Sequence, residues 1–273
     1  MFAKIERILD NAAAGGNSCL SEQEAYAVFE LLGLTVPARF VVAKSEFSTP
    51  GLAKKLAALK GEKVVLKILS SKTLHKTESG GVKVCQKKDA EAAVAQFAGK
   101  FSDIDGVLAL EFVEHAVFAL GQELMLGARA DKGFGPLITL GVGGTDAEHM
   151  TSVLKAGYSP AIRPVLLKGE SWKEFLSRAW IWKYVSGNVR GGKKLAEDAE
   201  ILKWLEAFEK LVSHFSDGGK SKWAVEEVEV NPLAVSGGRL VALDGVLRFR
   251  KAASFSRVSP SAKAVWSLAP CMK

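Results

Sequence analysis

The sequence predicts an α+β protein of two successive lobes, in which helices pack on mostly antiparallel sheets. Three observations favour this class: short apolar strand patterns bounded by turn residues, amphipathic helical patterns between them, and a length of 273 residues, which suits two lobes. We expect a lead-in at 1–19, a small lobe at 20–106, a large lobe at 107–250 and a basic tail or linker at 251–273.

Helix and strand signals alternate along the expected small lobe. Ser21 and Glu24 form a capping-box pair before apolar residues at helical spacing, and Gly33 is a plausible end for that helix. An extended run follows Pro37, and Thr49-Pro50 predicts the start of a second helix. The remaining predicted elements of this lobe are strands at 63–69 and 82–85 and a helix at 89–100.

From residue 107 the pattern changes to longer strands and one long helix. The predicted elements are strands at 107–113, 123–130 and 136–142, an amphipathic helix at 194–215, and a hairpin of 227–235 and 239–243. The segment from Ala252 has no clear periodicity, which is typical of a tail or linker.

Composition and charge exclude several classes of protein. No apolar run approaches the roughly 18 residues that span a bilayer, and the N-terminal residues show no signal-peptide pattern. Three scattered cysteines form neither a disulfide framework nor a metal site. The net charge of +7 is concentrated after Val246, without interleaved aromatic residues along the chain, which argues against a nucleic-acid partner. We therefore expect a cytoplasmic protein with neither a membrane nor a nucleic-acid partner.

A lysine inside an apolar strand is the first candidate for chemistry. Burying the ammonium of Lys67 costs several kcal/mol unless an anion meets it. Gly80 and Gly81 follow, where backbone amides can approach a phosphate without a Cβ in the way. His75 lies between them, and a histidine ring nitrogen is nucleophilic near neutral pH. An edge lysine, an ordinary hairpin turn and a surface histidine explain the same pattern equally well.

A second candidate lies on the last predicted hairpin. Glu229 and Asn231 are alternate strand residues, so both side chains point to one face, and Asp244 ends the returning strand. Carboxylate and amide oxygens suit Mg²⁺ bridged to nucleotide phosphates. A solvated hairpin face is the alternative.

Together these stretches resemble the ATP-grasp domain of ADP-forming acyl-CoA synthetases, from about Leu20 to about Phe249. They are similar to the β subunit of ADP-forming acetate–CoA ligase and, more distantly, of succinyl-CoA synthetase. The motifs, in order, are L-S-E-Q-E-A with G-L-T-V-P, L-K-I with L-H-K-T-E-S-G-G-V-K-V, G-x-E with D-K-G-F-G-P and G-V-G-G, and E-V-N-P-L with V-A-L-D-G. The resemblance implies an ATP-grasp fold whose two lobes clasp a nucleotide.

The resemblance also implies a role for each matching residue. Lys67 would hold the phosphates of ATP or ADP, and His75 would carry the phosphoryl group. The other implied nucleotide contacts are the loop glycines Gly80 and Gly81, the adenine hinge with Glu111, Phe112 and Val113, and Glu123. Asn231 and Asp244 would bind Mg²⁺, with Glu229 close by.

The implied activity is that of an acid–CoA ligase, in which a phosphoryl group passes between a phosphohistidine and ADP. A CoA-binding α-type subunit or domain is the implied partner, because this sequence has no CoA-binding Rossmann fingerprint. Tyr26 stands where relatives often carry a lysine. The usual Phe-Arg pair before a proline is missing after Gly144, and Arg163 is near but not clearly equivalent. A degenerate module that binds nucleotide for regulation is therefore the alternative.

Overall fold

The computed structural model describes residues 1–47, 51–70, 80–117, 119–144, 160–166 and 169–253, with residues 147, 150 and 152. Its helices are α1 (Phe2–Ala14), α2 (Glu22–Leu31), α3 (Leu52–Ala57), α4 (Ala90–Lys100), α5 (Trp172–Arg178), α6 (Trp180–Val185) and α7 (Asp198–His214). Short 3-10 turns occupy Lys44–Glu46 and Lys87–Asp89. Within these residues, no helix is long and apolar enough to cross a membrane.

The strands form two sheets. They are β1 (Arg39–Ala43), β2 (Lys63–Leu69), β3 (Val82–Gln86), β4 (Gly106–Glu111), β5 (Glu123–Asp131), β6 (Gly135–Val142), β7 (Ala161–Pro164), β8 (Trp223–Ser236), β9 (Arg239–Ala242) and β10 (Val246–Lys251). The first sheet has the order β1-β4-β2-β3, and the second has the order β10-β8-β5-β6-β7 with β9 on β8. Every pairing of these strands is antiparallel, which confirms the predicted α+β class.

Each face of β2 contacts a different core. Val64, Leu66 and Ile68 pack with α3 and α4 in the core of the four-stranded sheet. Val65 packs instead against the core that α1, α2 and α7 form on the six-stranded sheet. Because side chains alternate along a strand, Lys67 shares the face of Val65 and points toward the second sheet. This alternation carries a charged side chain into the junction between the two sheets.

The start of α2 is built as the sequence predicts. Ser21 and Glu24 cap the helix reciprocally, with the Ser21 backbone N–H donating to Glu24 at 2.8 Å and the Glu24 N–H donating to the Ser21 hydroxyl at 3.4 Å. Phe29, on the buried face of α2, stacks on Phe208 of α7 with 6.0 Å between ring centroids. The cap fixes the first turn of α2, and the stack holds its buried face against α7.

The distribution of elements between the sheets differs from the expected lobes in two ways. β4, which we placed at the start of the large lobe, lies between β1 and β2 in the four-stranded sheet. Its unbroken apolar run is buried on both faces, and a central strand satisfies that pattern. Conversely, α1 and α2, expected in the lead-in and small lobe, bury Ile5, Leu9 and Phe29 in the core of the six-stranded sheet.

Candidate functional site

Lys67 lies at the junction of the two sheets, surrounded by acceptors. Its Nζ donates to Glu22 Oε1 at 2.6 Å and to the Leu243 carbonyl at 2.7 Å, and it lies 3.5 Å from Asp244 Oδ2. Only 5% of Lys67 and 4% of Glu22 is exposed. Burial favours a lower pKa for Lys67, but the negative charges of Glu22 and Asp244 outweigh it and raise the pKa. Lys67 therefore stays charged and joins β2, α2 and the segment after β9.

Tyr26 lies one helical turn after Glu22 and is fully buried. Burial, followed by the charges of Glu22 and Asp244, raises the pKa of Tyr26 well above its ordinary value. The guanidinium of Arg39 lies 5.0 Å from the centre of the Tyr26 ring, and Arg39 also pairs with Glu30 at 2.9 Å. Tyr26 therefore contributes a neutral phenol beside the charged cluster.

The predicted metal ligands lie together next to Lys67. Asp244 follows β9, and the Leu243 N–H donates to the Pro232 carbonyl at 3.0 Å, which holds Asp244 beside Asn231. Asn231 accepts from the Gly144 N–H at 2.9 Å. Burial, Glu227 and Asp244 raise the pKa of Glu229, although a hydrogen bond from Asn231 opposes them. A half-buried carboxylate close to other carboxylates is an environment that a cation stabilises.

The glycine after Asp244 explains how this segment reaches Lys67. A Cβ at Gly245 would lie 2.5 Å from the ring of Phe29, so only glycine lets the segment pass this close to α2. The Gly245 N–H donates to Asp244 Oδ1 at 2.7 Å, which leaves Oδ2 on the side of Lys67. The D-G pair therefore orients the carboxylate.

The predicted hinge borders a cavity. Glu111, Phe112 and Val113 line a cavity of about 360 Å³, which Arg239 and Val241 of β9 close from the other sheet. The buried Oε2 of Glu111 has no hydrogen-bond partner among the described residues. The cavity and the carboxylate cluster share one short segment of the chain: Val241 lines the cavity, and Asp244 follows three residues later.

Glu123 connects the hinge to the second glycine-rich turn. Its Oε1 lies 3.1 Å from His115 Nε2, and His115 Nδ1 lies 2.9 Å from the Val113 carbonyl oxygen. A Cβ at Gly144 would lie 2.0 Å from Glu123 Oε2, and one at Gly143 would lie 2.2 Å from the Leu124 carbonyl oxygen. Both glycines are therefore required by the close approach of Glu123 and Leu124.

A family model described as an ATP-grasp domain matches residues 11–249. The chain belongs to the ATP-grasp family.

Two curated relatives of this ATP-grasp chain are ADP-forming ligases. The 4-hydroxybutyrate–CoA ligase of Nitrosopumilus maritimus is 30% identical over 241 residues, which cover 85% of this chain and 31% of that protein. The β subunit of acetate–CoA ligase I of Pyrococcus furiosus is 27% identical over 250 residues, which cover 89% of this chain and 96% of that subunit. The ATP-grasp chain thus spans less than a third of the first relative and nearly all of the second.

Solved structures confirm the predicted ATP-grasp fold. The dinucleotide-forming acetyl-coenzyme A synthetase 1 of Candidatus Korarchaeum cryptofilum, in complex with coenzyme A and Ca-AMPCP, matches with a TM-score of 0.71 at 23% identity, over 90% of this chain and 99% of that one. The same enzyme with coenzyme A and Mg-AMPPCP matches with a TM-score of 0.69 at 21% identity, over 90% of this chain and 100% of that one.

The other predicted residues of the ATP-grasp chain fall into two groups. Gly80 has a positive φ of 72°, and the Gly81 carbonyl accepts from the Ile68 N–H at 2.9 Å, so this pair lies beside Lys67 along the sheet. His75 lies in the segment 71–79, outside the described residues. Among the residues that are described, no group of three or more His, Cys, Asp or Glu side chains is arranged to hold a metal ion. The predicted magnesium ligands are two carboxylates and one amide, so they are not a group of that kind. Their role in binding Mg²⁺ stays a prediction.

Sequence reasoning missed Glu22 and His115 and left Arg163 open. Glu22 is part of the L-S-E-Q-E-A motif, but its pairing with Lys67 spans 45 residues and no local signal announces it. Arg163 is 9% exposed, donates to Glu209 at 3.0 Å and to the Glu170 carbonyl, and stacks on Trp172 at 4.0 Å. These contacts give Arg163 a packing role within the second sheet and its helices.

Proposed function

We propose that this chain is the nucleotide-handling part of an ADP-forming acid–CoA ligase, in which His75 passes a phosphoryl group to ADP in the presence of Mg²⁺. The observation that carries the proposal is the meeting of Lys67, Glu229, Asn231 and Asp244 between the two sheets of an ATP-grasp fold. The two curated relatives that we name are both ligases, which favours a ligase over the alternative of a degenerate regulatory module.

The residues at the junction fit Mg²⁺ and a nucleotide. Burial and neighbouring carboxylates raise the pKa of Glu229, and a divalent cation would relieve that repulsion. The buried, unpaired Oε2 of Glu111 at the cavity fits a ligand that brings a hydrogen-bond donor, such as an amino group of a base. Bound Mg²⁺ would neutralise phosphate charge and align the reacting oxygens.

Each residue then has a task of its own. Two of the three Lys67 protons are engaged by Glu22 and Leu243, and the third faces Asp244, so a phosphate would take it when Asp244 binds the cation. Asp244, Asn231 and Glu229 supply oxygens for the cation. Glu111, Phe112 and Val113 line the space for the base, and Gly80 and Gly81 stand where backbone amides approach phosphate. His75 attacks or releases the phosphoryl group, for which a nucleophilic ring nitrogen is required.

The partner that we propose is a CoA-binding α-type subunit or domain. The chain has nearly the length of a Pyrococcus subunit that is named β, whereas it spans 31% of the longer Nitrosopumilus ligase. The Korarchaeum synthetase is described with coenzyme A bound and with a phosphohistidine segment that points toward its nucleotide site. His75 would be the corresponding phosphohistidine of this chain.

The test is to incubate the purified chain with Mg-ATP and look for an acid-labile, base-stable phosphate by intact mass, alongside His75→Ala. We expect labelled wild type, an unlabelled variant, and a melting temperature that Mg-ADP raises in both, because a ligand of the native state stabilises it by mass action. Label that persists in His75→Ala would contradict the assignment of the carrier. No rise in melting temperature with nucleotide would contradict the whole proposal.

A further inference from the structure

His115 follows the hinge, and the motifs give it no role. Only 10% of its side chain and 16% of that of Glu123 is exposed. Both ring nitrogens face acceptors: Nδ1 faces the carbonyl of Val113 at 2.9 Å, and Nε2 faces the carboxylate of Glu123 at 3.1 Å. The tautomer decides which ring nitrogen donates, and both nitrogens lie within hydrogen-bond distance of an acceptor. His115 thus lies between the hinge backbone and Glu123 and contacts both.

The bridge continues beyond Glu123. Gly144 has a positive φ of 78°, and a Cβ there would collide with Glu123 Oε2, so the carboxylate lies directly against the turn. The N–H of Gly144 in turn donates to Asn231, one of the proposed metal ligands. One continuous set of contacts thus links the hinge, His115, Glu123, the glycine turn and the metal end of the site.

We infer that His115 is a positioning residue for the nucleoside part of the nucleotide, acting by holding Glu123 between the hinge and the glycine turn. This inference depends on the nucleotide site proposed above. A carboxylate repels phosphate but accepts from hydroxyl and amino groups, and only the nucleoside part carries such donors. Two contacts to His115 and Gly144 hold Glu123 in one orientation, and within the described ranges no other residue takes its remaining lone pairs.

The experiment compares His115→Leu, Glu123→Gln and the double variant by calorimetry with Mg-ADP. We expect each single change to weaken binding about tenfold, which is the loss expected for one hydrogen bond to a charged group. The double variant should also lose about tenfold, since both changes remove the same interaction. A double variant weakened about a hundredfold would show that the two residues act independently and would overturn the inference.

Two further variants separate positioning from general packing. His115→Gln keeps a donor for Glu123 and should recover most of the affinity that His115→Leu loses. His214→Leu is the matched control, because His214 is a partly buried histidine that stacks on Phe2 at 4.0 Å and has no contact with the hinge. It should lower stability without changing Mg-ADP affinity.

Mg-pyrophosphate, used as a competitor, tests which part of the ligand His115 serves. It carries the phosphates without the nucleoside, so its affinity should be equal in wild type and His115→Leu. An equal loss for ADP and pyrophosphate would overturn the inference, as would unchanged ADP affinity in His115→Leu. A wild-type chain that binds no Mg-ADP would instead refute the proposed function itself.

Discussion

Lys67 and Arg163 are the two buried cationic side chains in the part of the chain that the structure describes, and they are buried in different ways. Arg163 is covered by Trp172, Glu209 and the Glu170 carbonyl, all from helices or turns of one sheet layer. Lys67 joins three segments from both sheets, and one of its partners, Asp244, has a side chain that is 42% exposed. Burial of a cation therefore indicates an anion nearby, but not what the pair does.

The difference lies in the second partner of each cation. Around Arg163, the Glu170 carboxylate at 4.0 Å already pairs with Arg178, and the remaining groups are an aromatic ring and a backbone carbonyl, which complete a closed packing unit. Lys67 has a buried carboxylate on one side and a half-exposed carboxylate on the other, next to Asn231 and Glu229. An exposed carboxylate can exchange one cation for another, whereas a buried one cannot. Glu22 is thus the permanent partner of Lys67, and Asp244 is the exchangeable one.

The largest effect that we expect is a loss of protein stability when the buried contacts of Lys67 are removed. Lys67→Met removes the cation that donates to the buried carboxylate of Glu22 at 2.6 Å, which should lower the free energy of unfolding by about 3–5 kcal/mol. Arg163→Met loses the stack on Trp172, but Glu209 is 30% exposed and can turn to water, so we expect about 1–2 kcal/mol. Urea denaturation of both variants measures the difference.

A control for the Lys67 prediction removes both buried charges. Lys67→Met with Glu22→Met replaces a buried pair by apolar side chains, which is often close to neutral, so it should recover much of the lost stability. If the single variant Lys67→Met were as stable as wild type, Glu22 would have another way to satisfy its charge, and the described pair would not be a stabilising link.

The sequence was sufficient to predict Lys67 inside a strand and Asp244 after a hairpin, but not the residues that they contact. An apolar strand with a lysine inside and a D-G pair after a hairpin are local patterns, and the structure has β2 and β9 in those places. The pairing of Glu22 with Lys67 and the bridge from His115 to Glu123 depend on which strands become neighbours, and no local period encodes that order.

Three of the missed elements, β7, α6 and β10, have a related cause. β7 has four residues and α6 has six, which is too short for a clear period. β10 alternates buried Leu247 and Phe249 with arginines, and its position against β8 is apparent only once the second sheet is assembled. The predicted helix start at Thr49-Pro50 lies outside the described residues, and α3 begins at Leu52.

A charge-removing variant of Asp244 tests whether it is the exchangeable partner of Lys67, in contrast to Glu22. Asp244→Asn keeps the shape but removes the charge that we assign to the cation, so Mg-ADP affinity should fall at least tenfold. Its melting temperature should change little, because the Asp244 side chain is 42% exposed. Calorimetry decides this, with Glu209→Gln as the matched removal of a partly exposed carboxylate from the Arg163 cluster. Equal affinity in Asp244→Asn and wild type would leave Asp244 as a solvated hairpin residue.

The smallest effect on stability that we expect comes from a third cation, Arg250. Its side chain is 37% exposed, so it extends the comparison of buried cations to the surface. Arg250 donates to Asp217 at 2.8 Å, and this pairing lowers the pKa of Asp217 to about 2. Because the folded-state pKa lies below the unfolded value, the pair stabilises the protein above about pH 4, and this stability is lost as the pH falls toward 2. Screening by solvent reduces the contribution to about 1 kcal/mol.

Asp217→Asn measures directly how much the partly exposed pair of Arg250 and Asp217 contributes to stability. At pH 7 it should lower the free energy of unfolding by about 1 kcal/mol, and the difference from wild type should shrink steadily between pH 4 and pH 2. Urea midpoints across that range measure it. Glu206→Gln, which breaks the exposed pair with Lys210 at 3.6 Å, is the control and should differ little from wild type at any pH. An Asp217→Asn deficit that stayed constant down to pH 2 would show that the effect does not come from the charge of Asp217.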